Sequence, residues 1–270
     1  MECKVNEVSV RYAEYGSGTP VLALHGAGVD HREIAGALEP LFLDRTGYRR
    51  IYPDLPAMGH TPAPATIASN DDVLDVILGL VDRIIGDEAF LVVGHSYGGY
   101  LARAIANRRP GRAVGLALIC PAGERARDVP SHVVLHSSGD LAGVLGPELE
   151  AEYQNYLVVQ TPETLRRFQE YVAPSVPLVN RSGLQRIFEH WQLRDRPEDA
   201  PAYPHPTLIL VGRQDATVGY ASQWDLIEHY PRATFAVLDR AGHALLHEQI
   251  DLTHALVAEW LARVKEHAAV

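Results

Sequence analysis

The chain has 270 residues, is 47% apolar and carries a formal charge of −10. Its apolar fraction supports a sizeable core and argues against disorder, and its length suits one large domain or a core with an inserted subdomain. The dispersed acidic excess lacks the basic footprint that phosphate binding needs, so no nucleic-acid partner is expected. Cys3 and Cys120 are the only cysteines and give neither a disulfide framework nor metal-type spacing. The opening residues hold no apolar signal stretch, and no run approaches about 18 uninterrupted apolar residues, so a cytoplasmic enzyme without a membrane span is expected.

Residues 5–15 alternate in polarity and predict an antiparallel edge. Short aliphatic runs at 21–24, 49–52, 90–93, 114–119, 207–211 and 234–238 are apolar at successive positions, as in a buried parallel sheet. Between them, 71–85 repeats apolar residues at helical spacing behind the acidic entry Asn70-Asp71-Asp72, and 252–267 has the same character. Strand and helix alternate, which predicts a doubly wound α/β sheet. The rhythm changes over 121–203, where helical stretches at 148–159, 163–172 and 180–194 are punctuated by prolines. That segment reads as a helical insertion seated over the sheet, with 1–120 and 204–270 forming the core. Residues 131–139 fit either a short strand or a loop.

Gly94-His95-Ser96-Tyr97-Gly98-Gly99 directly follows the run Phe90-Leu91-Val92-Val93, and a helix is expected over 100–109. Glycines on both sides let the backbone turn sharply from strand to helix and leave the Ser96 oxygen exposed above the sheet. A serine nucleophile needs a base, and the base needs an orienting acid. Asp215 stands just past the 207–211 strand and His243 just past the 234–238 strand, at the carboxyl ends where open α/β sheets place their ligand crevice. The structural alternatives are a turn serine, a turn aspartate and a loop histidine. Rival acids are Glu124, Asp140 and Asp54, the last read as a turn-stabilising carboxylate. Among the thirteen histidines, His25 is expected to hold the loop His25-Gly26-Ala27-Gly28 and His95 to be packed; His60 is a candidate pocket contact, and His205 and His247 read as structural or exposed. No His-Glu-x-x-His pattern or paired ligand spacing occurs, so no metal site is expected. The oxyanion donors expected are the N–H of Tyr97, next to the nucleophile, and the N–H of Ala27, with Gly26 second to it.

Taken together, His25-Gly-Ala-Gly28, Asp54-Leu-Pro-Ala-Met-Gly59, the Ser96 elbow, Gly212-Arg-Gln-Asp215 and Gly242-His243 resemble the α/β-hydrolase superfamily over essentially the full chain. The resemblance implies an eight-stranded, mostly parallel sheet, a variable cap at the insertion and a cofactor-free triad of Ser96, Asp215 and His243. It also supports Tyr97 and Ala27 as oxyanion donors. Ser96 stands where haloalkane dehalogenases and epoxide hydrolases of this fold carry aspartate. Ala244 stands where members that cleave carbon–carbon bonds in ring-fission products commonly carry tryptophan. Haloperoxidases of similar fold keep the same triad. Proline aminopeptidases have an acidic amine-binding cap, for which Glu148, Glu150, Glu152 and Glu163 form no obvious equivalent.

The mechanism expected is two-step acyl transfer on a small or medium, largely apolar carboxylic ester, with a neutral His243 as base, so activity falls on the acid side. Thioester, lactone, amide and carbon–carbon cleavage remain alternatives on the same triad, and a noncatalytic small-molecule receptor is the alternative of another class. Candidate pocket residues are His25, Gly26, His60, Phe168, Tyr171, Phe188 and Trp191, while Arg166, Arg167, Arg181 and Arg186 are expected mainly on solvated faces. The partner is a small-molecule acyl substrate, and the chain is a monomer or a homodimer.

Overall fold

The computed structural model describes residues 1–139, 141 and 143–268. The chain opens with a hairpin, β1 (Glu2–Val5) antiparallel to β2 (Val8–Gly16), in which Val8, Val10 and Tyr12 point inward. There follow β3 (Thr19–Leu24), β4 (Tyr48–Pro53), β5 (Phe90–His95) and β6 (Ala113–Ile119). Late in the chain come β9 (Thr207–Gly212) and β10 (Ala233–Leu238), after two short insertion strands, β7 (His136–Ser137) and β8 (Val159–Gln160). These segments, β7 and β8 apart, form an eight-stranded sheet in the order β1-β2-β4-β3-β5-β6-β9-β10. Only β1 and β2 run antiparallel to their neighbours among the described residues.

Both faces of the central strands are apolar because helices cover both. One face packs on α2 (Asn70–Ile84) and α3 (Tyr97–Arg108), the other on α1 (His31–Phe42) and α9 (Ile250–Ala268). Ser69, not the acidic run after it, caps α2: its hydroxyl accepts the N–H of Asp72. Asp71 and Asp72 instead lie in the first turn, where carboxylates favour the positive helix end. α1 has no counterpart among the helices expected from the sequence. Its buried face mixes Ile34, Leu38 and Leu41 with Ala35, Gly36 and Ala37, and Pro40 falls in its last turn.

Between β6 and β9 lies a mainly helical segment. α4 (Pro147–Tyr156) and α5 (Pro162–Arg167) each begin on a proline, whose fixed φ and missing N–H suit a helix start. The helix expected over 148–159 stops at Tyr156 because Leu157 turns extended and β8 pairs in parallel with β7. That pairing also answers the strand-or-loop question for 131–139: a two-residue strand inside a loop. The stretch expected at 163–172 changes from α5 to a π turn at Phe168–Val172, and the third helix, α6 (Arg181–Phe188), ends well short of 194.

Guanidinium groups seat this segment on the core. Arg167 donates to Gly36 O, and Arg186 donates to the carbonyls of Ala63, Pro64 and Ile67. From the core side, Arg32 donates to Pro174 O. Beside Arg167 lies His247 in the short α8 (Leu245–Glu248), the next helix after α7 (Ala221–Trp224); the histidine is fully enclosed, with Nδ1 3.5 Å from the guanidinium and its ring stacked on Tyr171. Burial, reinforced by that cation, pulls His247 down to about 4.

The sign of the resulting pH dependence follows from proton binding. Between about 4 and a histidine's ordinary value near 6.5, the unfolded chain holds a proton at His247 that the folded chain excludes. Stability from this residue is therefore lost as pH falls through that window. Glu248 acts oppositely, since burial pushes it up to about 7 and the folded state keeps a proton that the unfolded state releases. The difference between variant and wild type separates the two. His247→Asn is expected to gain stability relative to wild type as pH drops from 7 to 4, by up to about 1.4 kcal/mol per pH unit. Urea unfolding across that range measures it, and a pH-independent difference would refute the neutral buried histidine.

Candidate active site

Ser96 joins β5 to α3 with φ 51 and ψ −117, a backbone conformation rare for a residue with a side chain. The glycines make room for it. A Cβ on Gly94 would lie 2.3 Å from Gly98 O, and one on Gly98 would lie 2.2 Å from Leu24 O. The elbow is fixed by backbone bonds from Ser96 N to Ile119 O, from Gly98 N to His25 O and from Ala122 N to Ser96 O. It stands between β3 and β5, where the strand order reverses and an open α/β sheet leaves its crevice.

Loops after β9 and β10 bring the partners to this point. Ser96 Oγ is 2.8 Å from His243 Nε2, and His243 Nδ1 is 2.8 Å from Asp215 Oδ2. The other Asp215 oxygen accepts the N–H groups of Thr217 and Val218 at 2.9 Å. Burial alone would push Asp215 up. The facing His243 and the two N–H donors outweigh it and hold the carboxyl below its usual value. An ionised Asp215 keeps the proton of neutral His243 on Nδ1, which leaves Nε2 free to accept the Ser96 hydroxyl.

Beneath this row lies a pair that the sequence reading missed in part. His95 Nε2 donates to His243 O at 3.0 Å, and its Nδ1 is 2.7 Å from Glu33 Oε1, with both side chains buried. The close contact is poorly aligned, so neither Glu33 oxygen has a hydrogen-bond partner among the described residues. Burial opposes charge on both, yet their mutual attraction prevails, holding Glu33 below and His95 above their ordinary values. Both ring nitrogens of His95 face acceptors, as an imidazolium requires. The signal for Glu33 was a lone carboxylate inside an apolar run, three residues past the Asp30 cap.

The N–H groups of Tyr97 and Ala27 have no acceptor among the described residues. The Ala27 loop is braced from below: His25 accepts Leu55 N–H at Nε2 and donates to Gly26 O from Nδ1. Over the serine opens a cavity of about 680 Å³. Phe168, Val172, Val176, Val179, Leu184 and Phe188 supply its apolar wall. Glu152, Asn155, Tyr156, Arg181 and Gln185 supply polar groups.

Of the expected pocket residues, Gly26, Phe168 and Phe188 line this cavity and the others do not. His25 is buried beneath the loop. His60 is exposed on another face, beside Glu2, Ser9 and Arg11, and gives only its N–H to Asp54. Tyr171 lies flat over Gly36, where a Cβ would come 2.3 Å from the ring. Trp191 stacks on Tyr100 at 5.2 Å, packs against Tyr97 and Phe188, and donates to Gly123 O. Of the cap arginines, Arg166 pairs with Glu163 and Glu170, Arg167 and Arg186 hold carbonyls, and Arg181 reaches the cavity. Among rival acids, Glu124 accepts from Tyr100 and pairs with Arg196, and Asp54 accepts from His31 and His60. His205 pairs with His267 at 3.1 Å; Asp140 lies outside the described residues.

Two groups of side chains come within metal-ligand reach among the described residues: His95, Cys120 and His243, and Asp30, His31 and Asp54. Their donor atoms are engaged otherwise. Both histidines of the first group serve the acid–base row, and burial pushes the Cys120 thiol well up, towards the neutral form. In the second, Asp30 pairs with Arg32, and His31 pairs with Asp54.

Residues 21–259 match the model of the alpha/beta hydrolase family. A 2-hydroxymuconate semialdehyde hydrolase of Pseudomonas sp. strain CF600 is 27% identical over 263 residues, covering 92% of this chain and 88% of that protein. The structure of an alpha/beta superfamily hydrolase from Oenococcus oeni PSU-1 superposes with TM-score 0.89 at 29% identity, covering 98% of this chain and 99% of the other. A meta-cleavage product hydrolase from Pseudomonas fluorescens IP01 gives TM-score 0.69 at 27% identity, covering 94% of each chain. Among the described residues no helix is long and apolar enough to cross a membrane. A nucleophile-elbow backbone at the sheet's reversal point and a family match across most of the chain lead to one conclusion: the chain belongs to the alpha/beta hydrolase family and is a hydrolase.

Proposed function

We propose that this hydrolase cleaves a small or medium, largely apolar carboxylic ester through an acyl-enzyme. The observation that carries the reading is the row Ser96–His243–Asp215, at 2.8 Å per step, opening into a mainly apolar cavity. His243 takes the Ser96 proton as Oγ attacks the ester carbonyl. The N–H groups of Tyr97 and Ala27, free of internal acceptors, receive the oxyanion. As the tetrahedral intermediate collapses, His243 protonates the departing alcohol, and Asp215 stabilises the imidazolium in between. Water then attacks the acyl carbonyl as His243 takes its proton, and the second tetrahedral intermediate collapses to release the acid while His243 returns that proton to Ser96 Oγ.

Residues 121–203 act as the cap in this reading, and 1–120 with 204–270 as the catalytic core. A volume of about 680 Å³ falls within the usual range for small-molecule sites. The apolar wall suits an alkyl or aryl acyl group, and the groups around Tyr156 suit a more polar leaving portion. The surplus of acidic charge gives no footprint for nucleic acid, and the free cysteines Cys3 and Cys120 fit a reducing, cytoplasmic setting for a monomer or homodimer. A second reading, carbon–carbon hydrolysis of a ring-fission product, is supported by the relatives of that activity that align along most of the chain.

A matched panel of short and medium acyl esters, thioesters, lactones and a vinylogous 1,5-diketone tests both readings. Esters are expected to turn over with a burst, and Ser96→Ala to lose at least about 10⁴-fold in kcat. Turnover of the diketone alone would move the second reading to the front. Ester turnover retained by Ser96→Ala, or ligand binding without phosphonate labelling of Ser96, would refute the serine mechanism. Asp215→Asn is expected to leave KM nearly unchanged and lower kcat about 10⁴-fold, since the amide no longer selects the Nδ1–H tautomer. A loss under tenfold would remove Asp215 from the row.

A further inference from the structure

Glu248, at the end of α8, makes contacts that the acid–base row does not use. Its Oε1 accepts the N–H groups of Val158 at 2.5 Å and Val159 at 3.0 Å, and its Oε2 accepts Gly242 N–H at 2.7 Å. Val158 and Val159 follow Tyr156 at the end of α4, and Gly242 immediately precedes His243. One carboxylate therefore joins the insertion to the loop of the base. Among the described residues, no other hydrogen bond or ion pair links 131–160 to the α/β core. The Val158 side chain also packs on Gly242. A Cβ on Gly242 would come within 3.0 Å of Val158 Cγ1, so glycine there permits the approach that the carboxylate spans. Across this junction the Tyr156 ring stands edge-on to the His243 ring, with centroids 6.3 Å apart, and both line the cavity.

We propose that Glu248 is a positioning residue for the reaction: it seats the Tyr156 end of the cap and the His243 loop on one another, so that a cavity wall and the base are set together. The inference rests on the reading of Ser96 and His243 as the reacting pair. Once ionised, above its raised value of about 7, the carboxylate suits the task because both oxygens accept and neither donates. Glutamine keeps the length but must turn its NH₂ towards one of the two loops, where it meets an N–H instead of offering a lone pair. Aspartate keeps the charge but falls one methylene short of spanning both.

The test combines kinetics on the full chain at pH 8, above the titration of Glu248, with amide exchange followed by NMR. In Glu248→Gln, kcat/KM per phosphonate-titrated site is expected to fall about 10- to 100-fold, matching one lost charge-assisted hydrogen bond. KM should rise because the cavity wall shifts, and kcat should fall because the base shifts. Exchange at Val158, Val159 and Gly242 should accelerate together. A merely structural role would lower the titratable fraction and leave kcat and KM of the remaining sites unchanged, which would overturn the proposal. If Glu248→Gln does not fold, Glu248→Asp and native-state exchange in the wild type decide. The three amides must then open with one shared free energy, and separate opening of Gly242 would overturn the strut. A wild type that neither labels at Ser96 nor hydrolyses any panel substrate would count against the serine mechanism, while the exchange result would still decide whether Glu248 joins the two loops.

Discussion

The backbone of Ser96, held at φ 51 and ψ −117, is the constraint on which the rest of the site depends. A conformation of this kind costs on the order of 1–3 kcal/mol and persists only where its surroundings over-determine it. Here they do so from both sides. The strand before it is wholly buried, and backbone bonds from Gly98, Ala122 and Ser96 itself tie the turn to β3 and β6. The next residue, Tyr97, is anchored through its hydroxyl to Asn70, and Asn70 in turn donates to Trp191 O in the insertion. Packing of Phe188 and Trp191 on the Tyr97 ring completes the clamp. The cap thus helps to hold the strained turn as well as roofing the cavity.

A second constraint is electrostatic. Two buried histidines lie near one buried carboxylate and are driven in opposite directions. His95 faces Glu33 closely enough to be pushed towards the charged form, whereas His247, next to Arg167, is pulled down to about 4. A buried ion pair such as Glu33–His95 adds little net stability against an apolar replacement, although removing one partner alone typically costs about 3–5 kcal/mol. Its value here is directional. The imidazolium donates to the His243 carbonyl, so the loop carrying the base is fixed from below by His95 and from the side by Glu248.

What the sequence made legible was set by local rules. The central strands announce themselves as aliphatic runs because both their faces are covered, and the elbow does so because glycine is required at Gly94 and Gly98. Asp215 and His243 were legible as polar residues just past such runs. α1 was not, since alanine, glycine and a proline dilute its apolar period, and with it went Glu33. The aromatic residues of the insertion were over-read as pocket. Phe168 and Phe188 do face the cavity, but α6 ends at Phe188 and the chain's new direction turns Trp191 onto Tyr100. Side-chain direction beyond a helix end depends on tertiary contacts that no periodicity reports.

The two halves of the insertion are attached to the core by different physics, and the cavity inherits that difference. Residues from Pro162 onward are tied to the core by Arg32, Arg167 and Arg186 through backbone carbonyls and by Asn70, which donates to Trp191 O. Phe168, Val172, Val176, Val179, Leu184 and Phe188 of the apolar wall stand on this half, together with Arg181 and Gln185. Glu152, Asn155 and Tyr156 belong to the stretch 131–160, whose hydrogen bonds to the core all converge on one carboxylate among the described residues. Several independent anchors must break together to move the first wall, whereas the second depends on Glu248 and on apolar contact with Ala244. The larger apolar side chains of the cavity thereby stand on the firmly held side. The polar side, with Tyr156 against His243, is held by the same carboxylate that holds the base, so whatever disturbs one of them reaches the other.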